Sequence, residues 1–163
     1  MDHQDDITQP LYVAQEESPR GLSFDPTSWP YLVARARGTT SVIEARQFLA
    51  RLEPWLATRT SLLVLWIDAS PEPCPWFDDE AGHSIARWKE RHRAELRGRR
   101  ISMAFVSHHS SKRQYFERRL CKIESSHGVS LDVFASETSA RGWLRVHAAA
   151  VATADAKLRR FAY

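Results

Sequence analysis

Three short apolar runs recur along the chain: LLVLWID at 62–68, ISMAFVS at 101–107 and VSLDVFAS at 129–136. In LLVLWID the apolar residues are consecutive rather than alternating, which is typical of a strand covered on both faces of a parallel sheet. A fourth segment, YLVARAR at 31–37, alternates more clearly and ends at Gly38. We therefore expect three buried strands and one edge or near-edge strand.

Helical periodicity fills the intervals between these runs. It predicts four helices: one starting at Ser41, one around 85–98, one over 112–126 and one capped by Thr138 or Ser139. Ser41 and Glu44 form a capping-box pattern, and Pro54 should kink or finish the helix that they begin. The resulting β-α alternation with short links predicts an α/β fold with a small, mostly parallel four-stranded sheet and about four helices.

Length and composition favour a single domain. The 163 residues suffice for one hydrophobic core, and 43% of them are hydrophobic. Residues 1–28 hold six acids against one base and include three prolines, so we predict a partly ordered acidic extension followed by one domain over 29–163. No apolar run approaches the about 20 residues that span a bilayer, and no signal-peptide layout begins the chain. With two cysteines and neither at metal-ligand spacing, we expect a cytoplasmic protein that contacts no membrane.

Several motifs in the same order resemble the STAS/SpoIIAA-like domain family of the stand-alone bacterial type, over about residues 29–146. The motifs are ARQFLARLEPWL at 45–56, a buried strand ending in Asp68, and FASETSARGWL at 134–144. The resemblance implies a small α/β layer fold that binds a partner rather than catalysing a reaction. Antagonists of this family switch by phosphorylation of an SSG-like loop after the Asp-ended strand. Here that loop reads ASPEPCPWFDDEAG, in which Ser70 is the nearest serine, so the resemblance does not carry the switch to this chain.

The loop after Asp68 is the predicted contact surface for a partner protein. Its candidate contact residues are Trp76, Phe77, Asp78, Asp79, Glu80 and His83. An exposed Trp76 beside Phe77 suits a protein–protein hot spot, but the same tryptophan could fold back as a lid over the sheet edge, and both interpretations stay open. Cys74, between two prolines, is predicted to be structural because few backbone N–H groups are left there to stabilise a thiolate.

The same loop could also contribute metal ligands. Asp78, Asp79 and His83 could meet His108 and His109, which follow another strand of the sheet. An acidic group at a helix start more commonly offsets the helix dipole, so we predict no metal site and no cofactor.

Basic residues are concentrated in the second half of the chain. Residues 87–119 hold eleven bases against three acids, although the formal net charge is only +3. The candidate basic patch consists of Arg87, Arg91, Arg97, Lys112 and Arg113. It could bind nucleic-acid phosphates, an acidic protein or the chain's own N-terminus, or it could be a solvated arginine-rich face. No base-reading motif accompanies it.

These observations favour a non-catalytic module that regulates or inhibits a partner protein, as a signalling antagonist or an immunity-type inhibitor does. The alternative is a nucleic-acid-associated protein that uses the basic helices 85–98 and 112–126. An enzyme with a metal- or His-dependent site is the least favoured hypothesis.

Overall fold

The computed structural model describes residues 21–25, 31–58, 61–97, 100–120 and 129–160. Within these ranges the strands are Gly21–Asp25 (β1), Tyr31–Arg37 (β2), Leu62–Asp68 (β3), Ile101–Val106 (β4) and Val129–Phe134 (β5). The helices are Val42–Thr58 (α1), Asp79–Arg91 (α2), Arg93–Arg97 (α3), Ser110–Leu120 (α4) and Glu137–Arg160 (α5). The end of the helix predicted over 112–126, with Cys121, lies outside the described residues.

The strands form one sheet in the order β1-β2-β3-β4-β5, in which β2 to β5 are parallel. The predicted α/β class and the mostly parallel sheet are therefore confirmed. The expected four strands become five because β1, inside the predicted extension, pairs antiparallel with β2. Leu22 and Phe24 of β1 pack against the core. The Phe24 ring stacks on Phe48 of α1 with 6.1 Å between the ring centroids.

The two faces of the sheet are covered by different helices. From β2 to β5, each strand lies beside the one before it, always on the same side. Because connections between parallel strands are right-handed, the connecting helices α1 to α4 all lie on one face of the sheet. Leu62, Val64 and Trp66 of β3 belong to the apolar cluster on that face. The intervening β3 residues join Ala140 and Leu144 of α5 on the other face. This two-sided burial explains why the β3 sequence is continuously apolar.

The predicted start of α1 is confirmed in detail. The Ser41 N–H donates to Glu44 Oε2 at 2.8 Å, and the Glu44 N–H donates back to Ser41 Oγ at 3.4 Å. Both bonds satisfy N–H groups that the first helical turn leaves without an intrahelical partner. Pro54 does not finish the helix, which continues to Thr58.

Two other helix predictions need correction. The helix predicted over 85–98 is divided at His92, which is the C-terminal cap of α2. The cap of α5 is Ser136 rather than Thr138 or Ser139, because Ser136 Oγ accepts the Ser139 N–H at 3.2 Å. α5 accordingly begins at Glu137, earlier than either predicted cap.

Lys89 of α2 contributes to an otherwise apolar cavity of about 150 Å³ between the sheet and the helices. Burial lowers the pKa of its amine below the usual 10.5, because the charged form is poorly solvated there. Between the folded and the unfolded pKa the unfolded chain binds more protons, so raising the pH through this window increases stability. At neutral pH the half-buried charge of Lys89 therefore destabilises the fold.

We expect Lys89→Met to raise the free energy of unfolding at pH 7 by roughly 1 kcal/mol, since it replaces a buried charge with an apolar chain of similar length. Urea unfolding from pH 7 to pH 10 should show this advantage shrinking as the lysine of the unsubstituted protein loses its proton. Lys89→Arg is the control, because arginine stays charged and should be less stable than Lys89→Met at every pH. An advantage that does not change with pH would contradict the explanation.

Candidate functional site

A buried ion pair joins the ends of two neighbouring strands. Asp68 ends β3, and Lys112 lies in the first turn of α4, shortly after β4 ends. Parallel strands place their carboxyl ends at one edge of the sheet, so the two side chains meet there. Lys112 Nζ lies 3.0 Å from Asp68 Oδ1, and the side chains are 4% and 0% exposed.

Hydrogen bonds complete the environment of the Asp68 carboxylate. Ser107 Oγ donates to Oδ2 at 2.7 Å, and the backbone N–H of Ser70 donates to Oδ1 at 3.2 Å. Burial raises the pKa of Asp68, but the bonds from Ser70, Ser107 and Lys112, together with the lysine charge, outweigh it and leave the pKa below its ordinary 3.8. The carboxylate is therefore held in its charged form inside the protein.

Ser70 connects this carboxylate to the surrounding loops. Its Oγ accepts the Gly38 N–H at 2.8 Å, and its carbonyl accepts from His109 Nε2 at 2.9 Å. The residue is only 1% exposed. The Ser70 hydroxyl is therefore not presented to a kinase at the protein surface.

Cys74 links the buried pair to solvent. Its Sγ lies 3.7 Å from Lys112 Nζ and donates to Ser70 Oγ at 3.5 Å. The residue is half-buried and lines an open cleft of about 740 Å³. Other residues lining the cleft are Arg37, Gly38, Thr39, Glu44, Ser70 and Glu72. Cys74 therefore lies between this cleft and the buried Lys112 amine.

Trp76 lies beneath the loop rather than on its surface. It is 4% exposed, and its ring contacts Phe105 and Phe116 at centroid distances of 5.4 and 5.7 Å. Lys112 Nζ lies 4.4 Å from the ring centre, and the indole N–H donates to the Lys112 carbonyl at 3.5 Å. This placement corrects the interpretation of Trp76 as an exposed contact and agrees with the alternative of a lid over the sheet edge.

Phe77 and Asp78 also serve the fold. Phe77 packs on Trp66 with 5.5 Å between the ring centroids, and its backbone forms an isolated parallel β-bridge with Thr40. The Asp78 N–H donates to the Thr40 carbonyl at 3.0 Å, and its side chain caps α2 by accepting the Ala81 N–H at 2.6 Å. The remaining predicted contact residues, Asp79, Glu80 and His83, are exposed.

The basic patch is not one surface. Lys112 is buried against Asp68, and Arg113 Nη1 donates to the Ser107 carbonyl at 2.7 Å. Arg87, Arg91 and Arg97 are exposed on α2 and α3. Arg87 and Arg91 instead join Arg46 of α1 along a groove of about 450 Å³, which we call the arginine groove.

The candidate metal ligands do not come together. Asp78 is occupied as a helix cap, and His109 donates to Ser70 with its ring 3.8 Å from that of His108. Among the described residues, no three His, Cys, Asp or Glu side chains are placed to hold a metal ion.

Sequence reasoning missed the pairing of Asp68 with Lys112 because it assigned the lysine to the candidate basic patch. One signal was present: a charged residue ends a continuously apolar strand, and a residue of opposite charge follows the next strand. Such residues share a sheet edge when consecutive parallel strands are neighbours.

Comparison with known proteins supports the fold. No family model and no curated protein matches the chain. It is similar to the crystal structure of an uncharacterized protein of the DUF3478 family, with a SpoIIAA-like fold, from Shewanella loihica PV-4. The similarity has a TM-score of 0.51 at 16% identity and covers 77% of this chain and 94% of that one. The chain therefore has a SpoIIAA-like fold, and the predicted resemblance is confirmed at that level.

Within the described ranges, no helix is long and apolar enough to cross a membrane.

Proposed function

We propose that this chain is a non-catalytic module that binds and regulates a partner protein in the cytoplasm. Its contact surface consists of the exposed Glu72, Asp79 and Glu80, which we call the acidic surface, together with His83. The observation that carries the proposal is that buried contacts hold the loop and the start of α2, which bear this surface, while its three acids are exposed.

Three anchors hold the loop. Asp68 and Ser70 tie its start to the network around Lys112, Trp76 fills the space between the sheet and α4, and Thr40 pairs with the backbone of residues 76–78. A loop that is ordered before binding loses little conformational entropy on association. Such a pre-organised surface supports recognition of a rigid partner.

The chemistry of the exposed side chains indicates a basic partner. Glu72, Asp79 and Glu80 show no hydrogen bond or ion pair through their carboxylates to other described residues. The nearby Ser107 is fully buried, and its hydroxyl donates to Asp68. Exposed charges of one sign mainly govern the rate and specificity of association.

Photo-crosslinking in cells of the native host tests the proposal. A photoreactive residue at position 83 should capture one discrete protein, whereas the same residue at position 118 on α4 should not. Charge reversal of the acidic surface (Glu72→Lys, Asp79→Lys and Glu80→Lys) should lower this crosslinking at least about tenfold, because three favourable charges become repulsive.

The control has the same change in net charge elsewhere: Glu53→Lys, Glu90→Lys and Glu95→Lys, all at exposed positions of α1 to α3. Thermal unfolding would establish that both variants fold. Equal crosslinking by the two variants, or no discrete species from position 83, would refute the acidic surface as the contact.

The arginine groove favours nucleic-acid binding as a second candidate function. Three exposed arginines, Arg46, Arg87 and Arg91, line it, whereas Lys112 and Arg113 bind other groups of the protein.

If this function holds, Arg87→Glu with Arg91→Glu should weaken binding of a duplex oligonucleotide at least about tenfold and flatten its salt dependence. Arg118→Glu with Arg119→Glu on α4 is the control of equal charge. Identical affinities of the two variants would reject the groove.

A further inference from the structure

The ion pair of Lys112 with Asp68 does not require the further contact of Lys112 with Cys74. Sγ and Nζ lie 3.7 Å apart. Cys74 is half-buried and lines the 740 Å³ cleft, whereas the Lys112 side chain is 4% exposed and the Trp76 ring lies against its amine. A small oxidant that enters the cleft therefore meets Cys74, and the Lys112 amine in contact with its sulfur is shielded from water.

We propose that Cys74 and Lys112 are a redox modification site, at which peroxide converts the contact into a reversible covalent sulfur–nitrogen bond. The oxidisable thiol of Cys74 contacts the amine of Lys112, and that amine contacts the Asp68 carboxylate, which can accept its proton.

The chemistry balances in two steps. First, the Cys74 thiol takes one oxygen atom from hydrogen peroxide, which yields a sulfenic acid and water. As the sulfur–nitrogen bond forms, Lys112 loses its positive charge and passes one proton to the Asp68 carboxylate, 3.0 Å away, which then has no counterion to keep it ionised. The amine attacks the sulfur, the S–O bond breaks, and the departing hydroxide leaves as water with a second proton from nitrogen. Sulfur loses two electrons and peroxide gains two, and Asp68 ends as a neutral acid.

The surroundings favour this outcome over further oxidation. A sulfenic acid condenses with a nearby nitrogen when one lies within reach, and otherwise proceeds to the irreversible sulfinic acid. Within the described ranges Cys74 is the one cysteine, so Lys112 is the neighbour placed to trap the intermediate. The bond also replaces a buried charge pair by neutral groups, which removes the need to keep two charges in a dry interior.

The crosslink would join the loop that carries the acidic surface directly to α4. If the proposed function holds, peroxide then changes how firmly the loop presents that surface, and partner binding becomes sensitive to oxidation. This consequence depends on the proposed function, but formation of the bond does not.

Mass spectrometry of the purified full chain tests the bond without a partner. After treatment with a small excess of hydrogen peroxide, the intact protein should become two hydrogens lighter, and digestion without reductant should yield one joined peptide containing Cys74 and Lys112. Dithiothreitol should restore both original peptides. Absence of the joined peptide, with oxygen added to Cys74 instead, would overturn the proposal.

Two variants separate the crosslink from ordinary thiol oxidation. Lys112→Arg keeps the positive charge beside Asp68 but lacks a nucleophilic amine, so its sulfenic acid should persist and react with dimedone at least about tenfold more than that of the unsubstituted protein. Cys74→Ser should show neither product. Equal dimedone labelling of the unsubstituted protein and Lys112→Arg would contradict the role of Lys112, and the joined peptide remains a direct readout if Lys112→Arg folds poorly.

Discussion

Replacing Lys112 by methionine should lower the free energy of unfolding by about 3–5 kcal/mol at neutral pH, because it leaves the Asp68 carboxylate buried without its counterion. Folded domains are stable by only about 5–15 kcal/mol, so this loss brings the protein close to its folding limit. Urea unfolding followed by far-ultraviolet circular dichroism measures the change.

The pH dependence follows from the same pair. With Lys112 present, the pKa of Asp68 lies below 3.8, so its contribution to stability is complete above that value and is lost as the pH falls through the folded pKa. Without Lys112, Asp68 loses the hydrogen bond and the positive charge that lower its pKa. The effect of burial, which raises the pKa, is then opposed less, and the pKa of Asp68 rises. The stability difference between the two proteins should therefore narrow as the pH is lowered toward 4.

Two further variants test whether the unpaired charge causes the loss. Asp68→Asn with Lys112→Met removes both charges and should be more stable than Lys112→Met alone, because no uncompensated carboxylate remains. Arg93→Met breaks the exposed pair with Glu90 and should change stability by less than about 1 kcal/mol. If Asp68→Asn with Lys112→Met unfolds as readily as the single variant, lost packing rather than charge is responsible.

Substituting Trp76 by alanine should lower the free energy of unfolding by about 3–5 kcal/mol, since the indole fills the space between the sheet and α4. Its contacts with Phe105, Phe116 and Lys112 would all be lost. Chemical denaturation would give the loss directly. An exposed binding hot spot would behave differently, because removing it weakens a complex and leaves the free protein stable.

The matched control lies in the same region of the chain. Glu80→Ala alters an exposed side chain of the acidic surface and should change stability by no more than about 0.5 kcal/mol. A stability loss below about 1 kcal/mol for Trp76→Ala would mean that the indole is not an anchor of the loop.

The elements of the fold could be predicted where local chemistry decides them. The apolar run of β3 has the length of a strand and the continuity of a two-sided environment, and Ser41 with Glu44 satisfies the first N–H groups of α1 from within one turn. β1 was missed because Leu22 and Phe24 give too short an alternation until β2 supplies a pairing edge and Phe48 a packing surface.

The candidate site was less predictable because its contacts cross the chain. Trp76 was equally consistent with a hot spot and a lid, and Phe105, Phe116 and the edge of the sheet decide for the lid. In the sequence, Lys112 resembled the other basic residues of its helix. In the structure, its position in the first turn of α4 places its amine beside Asp68 at the end of β3. Residue type alone does not distinguish a solvated lysine from a paired one.

By itself, the sequence determined the α/β class, the alternation of β2 to β5 with helices and the start of α1, since periodicity and capping involve residues only a few positions apart. The tertiary structure decided which polar residues are internal. Asp68 and Lys112 are separated along the chain but meet because β3 and β4 are parallel neighbours, with 3.0 Å between their charged atoms. The burial of a charge depends on such distant partners, so it is a property of the assembled sheet rather than of any local sequence pattern.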